Sequence, residues 1–294
     1  LQSFAQVSSA IRIEGASTLL ENEPIINGNQ SYLSKTWKEI IHQTKMKNPH
    51  VLFFADNSGQ NNIDWENFGF DYYENNQLLT LLTDQINRGD AGQLNKFFNE
   101  ENLAKIKRSI FNLSHISSTD LLPTTRHRLL AACLIGLLPG IIQHDDNLNT
   151  DLEAYISEVS KMAVIRYGKF KALPTTSHHV FSFARAHGHD LLVAVVNLSI
   201  EPIRVNVFLD SFVKGFDDNK MYLVSNPLQH IPLSIESIQS TTGPGPTMAI
   251  WGNDFKKNGL STQLDKLSIR LFSVNLSHPI LHDTPEPIQQ FHKV

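Results

Sequence analysis

The chain has 294 residues, enough for two domains or one large one. Its net charge of −4 arises from 25 basic and 29 acidic residues dispersed in both signs, so nothing suggests a polyanion-binding surface and no nucleic-acid partner is expected. No apolar run approaches the roughly eighteen residues of a transmembrane helix, and a single cysteine, Cys133, rules out an internal disulfide.

Ser8 to Gly15 reads as the first strand, closing on Arg12-Ile13-Glu14. An amphipathic helix is expected over Lys35–Met46, opened by Thr36-Trp37-Lys38-Glu39-Ile40-Ile41, and the second strand runs from Asn48 to Asp56. Both strands end an apolar run on a charged group, as a parallel barrel strand does when it delivers a side chain to a site at its carboxyl end. Two carboxylates at matching strand ends, Glu14 and Asp56, meet the requirement of a glycosidase site. An ordinary βαβ unit with charged loop starts has the same spacing. Further strands are expected at Phe70–Tyr73, Ser109–Leu113 and Gly140–Gln143, with helices at Asn76–Asn87, Glu101–Lys107, Arg126–Leu138 and Leu152–Tyr167. This alternation implies a parallel sheet covered by helices. Five strands fall short of the eight of a closed barrel. The apolar stretch Leu129 to Ile142, broken at Gly136 and Pro139-Gly140, suits a buried helix, a turn and a buried strand, with Cys133 as a core residue.

After Pro174-Thr175-Thr176 the texture changes to short β-type runs at His178–Ala186, Leu191–Leu198, Ile203–Leu209, Met221–Val224, Leu233–Ile238, Thr247–Trp251 and Ser268–Val274. Closely spaced strands with Gly, Asn, Asp and Pro turns indicate an antiparallel β-sandwich. The expected domains are therefore 1–176 and 177–294. Four sequons (Asn29, Asn112, Asn197, Asn275) match the frequency that so Asn- and Ser-rich a chain yields by chance. Gly243-Pro244-Gly245-Pro246 is a rigid turn, not a phosphate-cradling loop.

In chain order these segments resemble the carboxyl-terminal half of an α-amylase-superfamily glycoside hydrolase, over nearly the whole length. Ala10-Ile11-Arg12-Ile13-Glu14-Gly15 is similar to that family's fourth barrel strand, which carries the nucleophile and its arginine. Val51 to Asp56 is similar to the fifth, which ends in the acid/base residue. Phe68-Gly69-Phe70-Asp71-Tyr72-Tyr73-Glu74-Asn75-Asn76 looks like the Gly-Phe-Asp segment that follows. Phe111-Asn112-Leu113-Ser114-His115 falls where the seventh strand presents a His-Asp pair, and Arg126 to Asp146 resembles the last helix and eighth strand. Val164 to Gly168, Val180 to Arg185 and Leu192 to Leu198 follow the order of entry into the C-terminal sandwich.

The resemblance implies half of a (β/α)8 barrel, strands four to eight, followed by the sandwich, with α-linked glucan as ligand and neither cofactor nor metal. An active version would use Glu14 as nucleophile, Asp56 as general acid/base, and Asp120 or His115 as stabiliser, with Arg12, His115 and Asp71 binding substrate. The departures are specific. Glu14 stands where the family has Asp, Asp56 where it has Glu, Ile116 follows His115 in place of the usual Asp, and His144-Asp145-Asp146 replaces Gly-Asp-Glu. Altered chemistry at all three catalytic positions implies a degenerate site. The alternative is a non-enzymatic sugar- or protein-binding homologue, of which the amino-acid-transporter heavy chains are the precedent. Strand-end histidines, an Arg12 salt bridge, and core rather than sugar-stacking roles for Trp37 and Trp65 remain open. Metal binding at His178-His179 and His187-Gly188-His189 is not expected, for want of convergent ligands. The first residue is Leu, a few residues before a strand, so an upstream segment or partner chain is expected to complete the barrel and cover its open edges.

Overall fold

The structure, a computed structural model, describes residues 9–16, 32–56, 65–98, 100–113, 116, 122–143, 150–209, 212–213, 216–228 and 247–276. Five short strands, β1 (Ala10–Ile13), β2 (Leu52–Ala55), β3 (Tyr72–Glu74), β4 (Ser109–Asn112) and β5 (Ile141–Gln143), form one parallel sheet in sequential order. Parallel neighbours need crossover connections. Among the described residues the helices between and after these strands are α1 (Tyr32–Lys47), α2 (Asn76–Arg88), α3 (Gly92–Phe97), α4 (Glu100–Lys107), α5 (Thr125–Leu137), α6 (Thr150–Lys161) and α7 (Ala163–Tyr167).

Alternation along the strands separates two faces. Ile11, Phe53 and Ala55 turn toward α1, where they bury with Ile41, Val51, Trp65 and Phe70. Arg12 and its register partners Phe54 and Tyr72 occupy the opposite face, together with the exposed Leu52. That face is concave. A flat sheet would hold β1 and β5 about 19 Å apart, four spacings of about 4.8 Å. Extended arginine and glutamine side chains joined by a hydrogen bond span only roughly 15 Å, yet Arg12 Nη1 donates to Gln143 Oε1 at 2.8 Å. The sheet therefore curls, as a barrel segment does.

The remaining described strands are antiparallel. β6 (Lys169–Ala172), β7 (Val180–His187), β8 (Asp190–Asn197), β10 (Met221–Ser225), β11 (Thr247–Trp251) and β13 (Ser268–Asn275) form a six-stranded sheet in the order β11-β10-β13-β8-β7-β6. β9 (Ile203–Val207) pairs with β12 (Leu260–Leu264), and the helix α8 (Gly252–Asn258) precedes β12. Val180, Val193, Val195 and Phe272 of the large sheet share one apolar core with Val205, Val207, Leu260 and Leu264 of the small one. Two sheets face to face make a sandwich.

Several boundaries differ from expectation for local reasons. The third strand starts at Tyr72 because the chain leaves the tight turn Trp65–Phe68 through Gly69 at φ +86°, and pairing begins only at Phe54↔Tyr72. Leu152–Tyr167 breaks into α6 and α7 at Met162, whose ψ of 125° is extended. Short elements of few residues, α3, β6, α8 and β12, carry too little periodicity to be read in advance. The run Leu233–Ile238 lies outside the described residues. By contacts the chain divides into two compact units. Leu1–Thr80, Leu103–Asn112 and Gly140–Gln143 hold the parallel sheet, while Leu81–Asn102, Leu113–Pro139 and His144–Val294 hold the antiparallel sheets with α5 and α6. Among the described residues no helix is long and apolar enough to cross a membrane.

Candidate functional site

The carboxyl ends of the parallel strands present Arg12, Glu14, Asp56, Glu74, Asn112 and Gln143. Pairing of Ile13 with Ala55 places Glu14 and Asp56 one residue beyond the ladder on adjacent strands. Glu14 lies exposed in the turn after β1, with no bonded partner among the described residues. Gly15, at φ +65°, completes that turn, and its N–H reaches Asp56 Oδ2 only at 3.4 Å.

Arg12 does not serve Glu14. Its Nη2 donates to Glu74 Oε1 at 2.6 Å, and its Nη1 to Gln143 Oε1 at 2.8 Å. The Glu74 side chain is 4% exposed and that of Arg12 35% exposed, so a desolvated carboxylate orients a half-open guanidinium. A charge-assisted contact of this kind is stronger than a neutral hydrogen bond. Of the two roles the sequence left open for Arg12, the structure has the salt bridge across the sheet end: its acceptors stand on β3 and β5. Glu74 was not singled out in the sequence, although it closes Phe70-Asp71-Tyr72-Tyr73 just as Glu14 and Asp56 close their runs.

Local chemistry fixes Glu74. The next residue, Asn75, is buried; its Oδ1 accepts from Leu78 N at 3.0 Å as the N-cap of α2, and its Nδ2 donates to Ser109 Oγ at 2.8 Å. Its own N–H bonds Ile110 O. Asn75→Ala is expected to cost about 1–2 kcal/mol, the usual value of an N-cap, and thermal unfolding monitored by circular dichroism checks it.

Asp71 sits elsewhere. It precedes β3, at the amino end of the sheet, where Oδ1 pairs with Lys45 at 2.7 Å and Oδ2 accepts from Phe53 N at 2.8 Å. Both oxygens are committed to scaffold at the end opposite Glu74, which accounts for this carboxylate without a ligand. Trp65 is fully buried and Trp37 packs on the same cluster, so both are core. His115, Asp120 and His144-Asp145-Asp146 lie outside the described residues. Of the paired histidines, His179 bonds Gly89 O, and its ring lies against that of His178 at a 40° tilt. No group of three or more potential metal ligands occurs among the described residues.

A curled parallel sheet with helices, followed by an antiparallel sandwich, defines part of the α-amylase fold. No protein-family profile matches the sequence, and no curated relative is found. Solved structures supply the likeness. The α-amylase of Geobacillus thermoleovorans, complexed with acarbose, superposes with a TM-score of 0.61 at 12% identity, over 94% of this chain and 62% of its own. The α-amylase of H. orenii gives 0.58 at 12% identity, over 92% and 62%. The maltogenic α-amylase AmyB of Thermotoga neapolitana gives 0.54 at 10% identity, over 92% and 60%. This chain thus spans less than two thirds of the length of each, and at such identity the shared property is the fold.

Proposed function

We propose that this chain is the larger part of an α-amylase-type carbohydrate-active protein that binds α-linked glucan at the carboxyl end of its parallel sheet and turns it over poorly. One observation carries the reading: the strand-one arginine is held by Glu74 and Gln143, leaving Glu14 without the guanidinium that a nucleophile needs. The second support is the pair of exchanged side-chain lengths. Glu14 is one methylene longer, and Asp56 one shorter, than the resemblance requires, and each displaces its carboxyl by about 1.5 Å. A misplacement of about 1 Å costs roughly a hundredfold, so two compound to about ten-thousandfold.

The competent assignment, with Glu14 as nucleophile, Asp56 as acid/base and Asp120 or His115 as stabiliser, is the version that this argument disfavours. A protein-binding role is supported by the concave face itself. Leu52 is 38% exposed there, Phe54 and Ile141 are half-buried, and β1 and β5 end the sheet. An upstream segment or a partner chain completes the sheet at its β1 and β5 edges in this proposal, and residues 1–176 and 177–294 are its two sequence domains.

Purified chain assayed with maltoheptaose and starch tests this. Calorimetry is expected to show saturable maltoheptaose or acarbose binding, with reducing-end release about ten-thousandfold below an active α-amylase. Turnover within a hundredfold of that enzyme would restore the catalytic reading. Absence of any glucan binding would leave the protein-binding one.

A further inference from the structure

On the concave face the guanidinium of Arg12 has company suited to a particular ligand chemistry. An arginine carries five N–H donors and no acceptor. Two of them go to Glu74 and Gln143, and the other three have no partner among the described residues. The side chain keeps a third of its surface open. Left alone, such a fork recruits carboxylate, sulfate or phosphate, because its charge and geometry match them. Here a buried carboxylate lies 2.6 Å away and cancels that charge. What remains is a rigid set of neutralised donors.

Register places two aromatic residues level with Arg12 on the same face of the sheet. Arg12 pairs across the sheet with Phe54, and Phe54 with Tyr72. Their rings stack at 5.4 Å between centroids, 20° from parallel, and both are half-buried. Aromatic faces take the apolar C–H surface of a ring, while the donors take its hydroxyl oxygens. An anionic ligand would gain little from the balanced guanidinium and would meet the carboxylate of Glu74.

We propose that Glu74 sets the ligand selectivity of this site: by balancing Arg12 it makes the Arg12–Phe54–Tyr72 face accept neutral, hydroxyl-rich rings and refuse anions. This deepens the glucan reading and rests on it for the natural ligand. Glu74 is a positioning residue, acting through Arg12. Two other acids stand at the same sheet end, the exposed Glu14 and the half-buried Asp56. The competing assignment is that one of these balances the guanidinium.

The test uses the full 294-residue chain, wild type and the variants E74Q, E74D, E14Q and E74Q/R12Q, with inorganic sulfate and maltoheptaose as probes in calorimetry. The isosteric E74Q is expected to raise sulfate affinity about tenfold and lower maltoheptaose affinity about tenfold, in line with the strength of hydrogen bonds to charged groups. E74D is expected to keep the wild-type preference, E14Q to leave sulfate affinity within threefold of wild type, and E74Q/R12Q to lose the sulfate gain. A purely structural role would weaken both probes together and would not exchange their order. The proposal is overturned if E74Q shows no sulfate gain while remaining folded by circular dichroism, or if E14Q gains as much. Should the wild type bind no maltoheptaose, the glucan reading fails, while the sulfate arm still decides the role of Glu74.

Discussion

Replacing Gly140 by alanine is expected to destabilise the protein by about 3–5 kcal/mol, combining backbone strain with overpacking. Gly140 has φ +130°, a conformation that side chains rarely tolerate. An added Cβ would lie 2.6 Å from Phe111 Cε2, 2.9 Å from Ser109 O and 3.1 Å from Ile106 O. The ring of Phe111 is fully buried, and the two oxygens are backbone at the start of β4 and the end of α4, so none of them gives way cheaply. The close approach is what lets the chain turn directly from Leu138-Pro139 into β5 and present Gln143 to Arg12. Gly188→Ala is the matched comparison: φ is +60° there, but nothing lies within 4 Å of the added Cβ. That change should cost only about 1–2 kcal/mol, the strain alone. Urea unfolding followed by tryptophan fluorescence separates the two. Equal stability of the two variants would show that the steric account of Gly140 is wrong. At roughly 2–4 °C per kcal/mol for a domain of this size, the Gly140 variant should melt about 6–20 °C below wild type.

The same residues show what was legible in the sequence. Period-two and helical patterns marked five parallel strands and a later antiparallel array, because each buries one face against a different partner. The strand-end rule found Arg12, Glu14 and Asp56 at the carboxyl end of the sheet, where the structure has them. It did not find the partner of Arg12, since a bond between residues 62 positions apart depends on sheet curvature, and no local pattern encodes curvature. Asp71 illustrates the opposite case. It stands in the same short segment as Glu74, yet three residues move it to the other end of the strand and to Lys45. Resemblance to a motif assigned the segment to the right place in the fold. Which carboxylate in it faces the site follows from where pairing starts, and that was set by the turn at Gly69.

Removing Arg185 is expected to be the second large effect, and it falls within the antiparallel unit. This arginine of β7 is 4% exposed. Nη1 donates to Leu137 O at 3.1 Å and Nη2 to Gly168 O at 3.3 Å, while Nε is buried with no partner among the described residues. Leu137 is the last residue of α5 and Gly168 the C-cap of α7. Terminal helix carbonyls lack donors within the helix and carry partial negative charge, so a buried cation there replaces a counter-ion. Burial still pushes the guanidinium down to about 10, well below its ordinary value. Because the folded value is the lower one, the protonated group opposes folding below about pH 10, and that opposition is relieved as pH rises from there toward the ordinary arginine range. Arg185→Met removes both the burial cost and the two bonds. The two orphaned carbonyls together cost about 2–6 kcal/mol and the relieved burial of the charge offsets about half of that, so a net loss of about 1–3 kcal/mol is expected at neutral pH. Arg185→Lys should fare no better, since a single ammonium keeps the buried charge but cannot fork to both helix ends. The deficit of the Met variant should widen as pH climbs above about 10, when wild type sheds its cost and the variant has none to shed. Chemical denaturation at neutral and alkaline pH measures both quantities. A Met variant as stable as wild type at neutral pH would mean that the helix ends find other donors and that Arg185 is a tolerated burden, not a clamp.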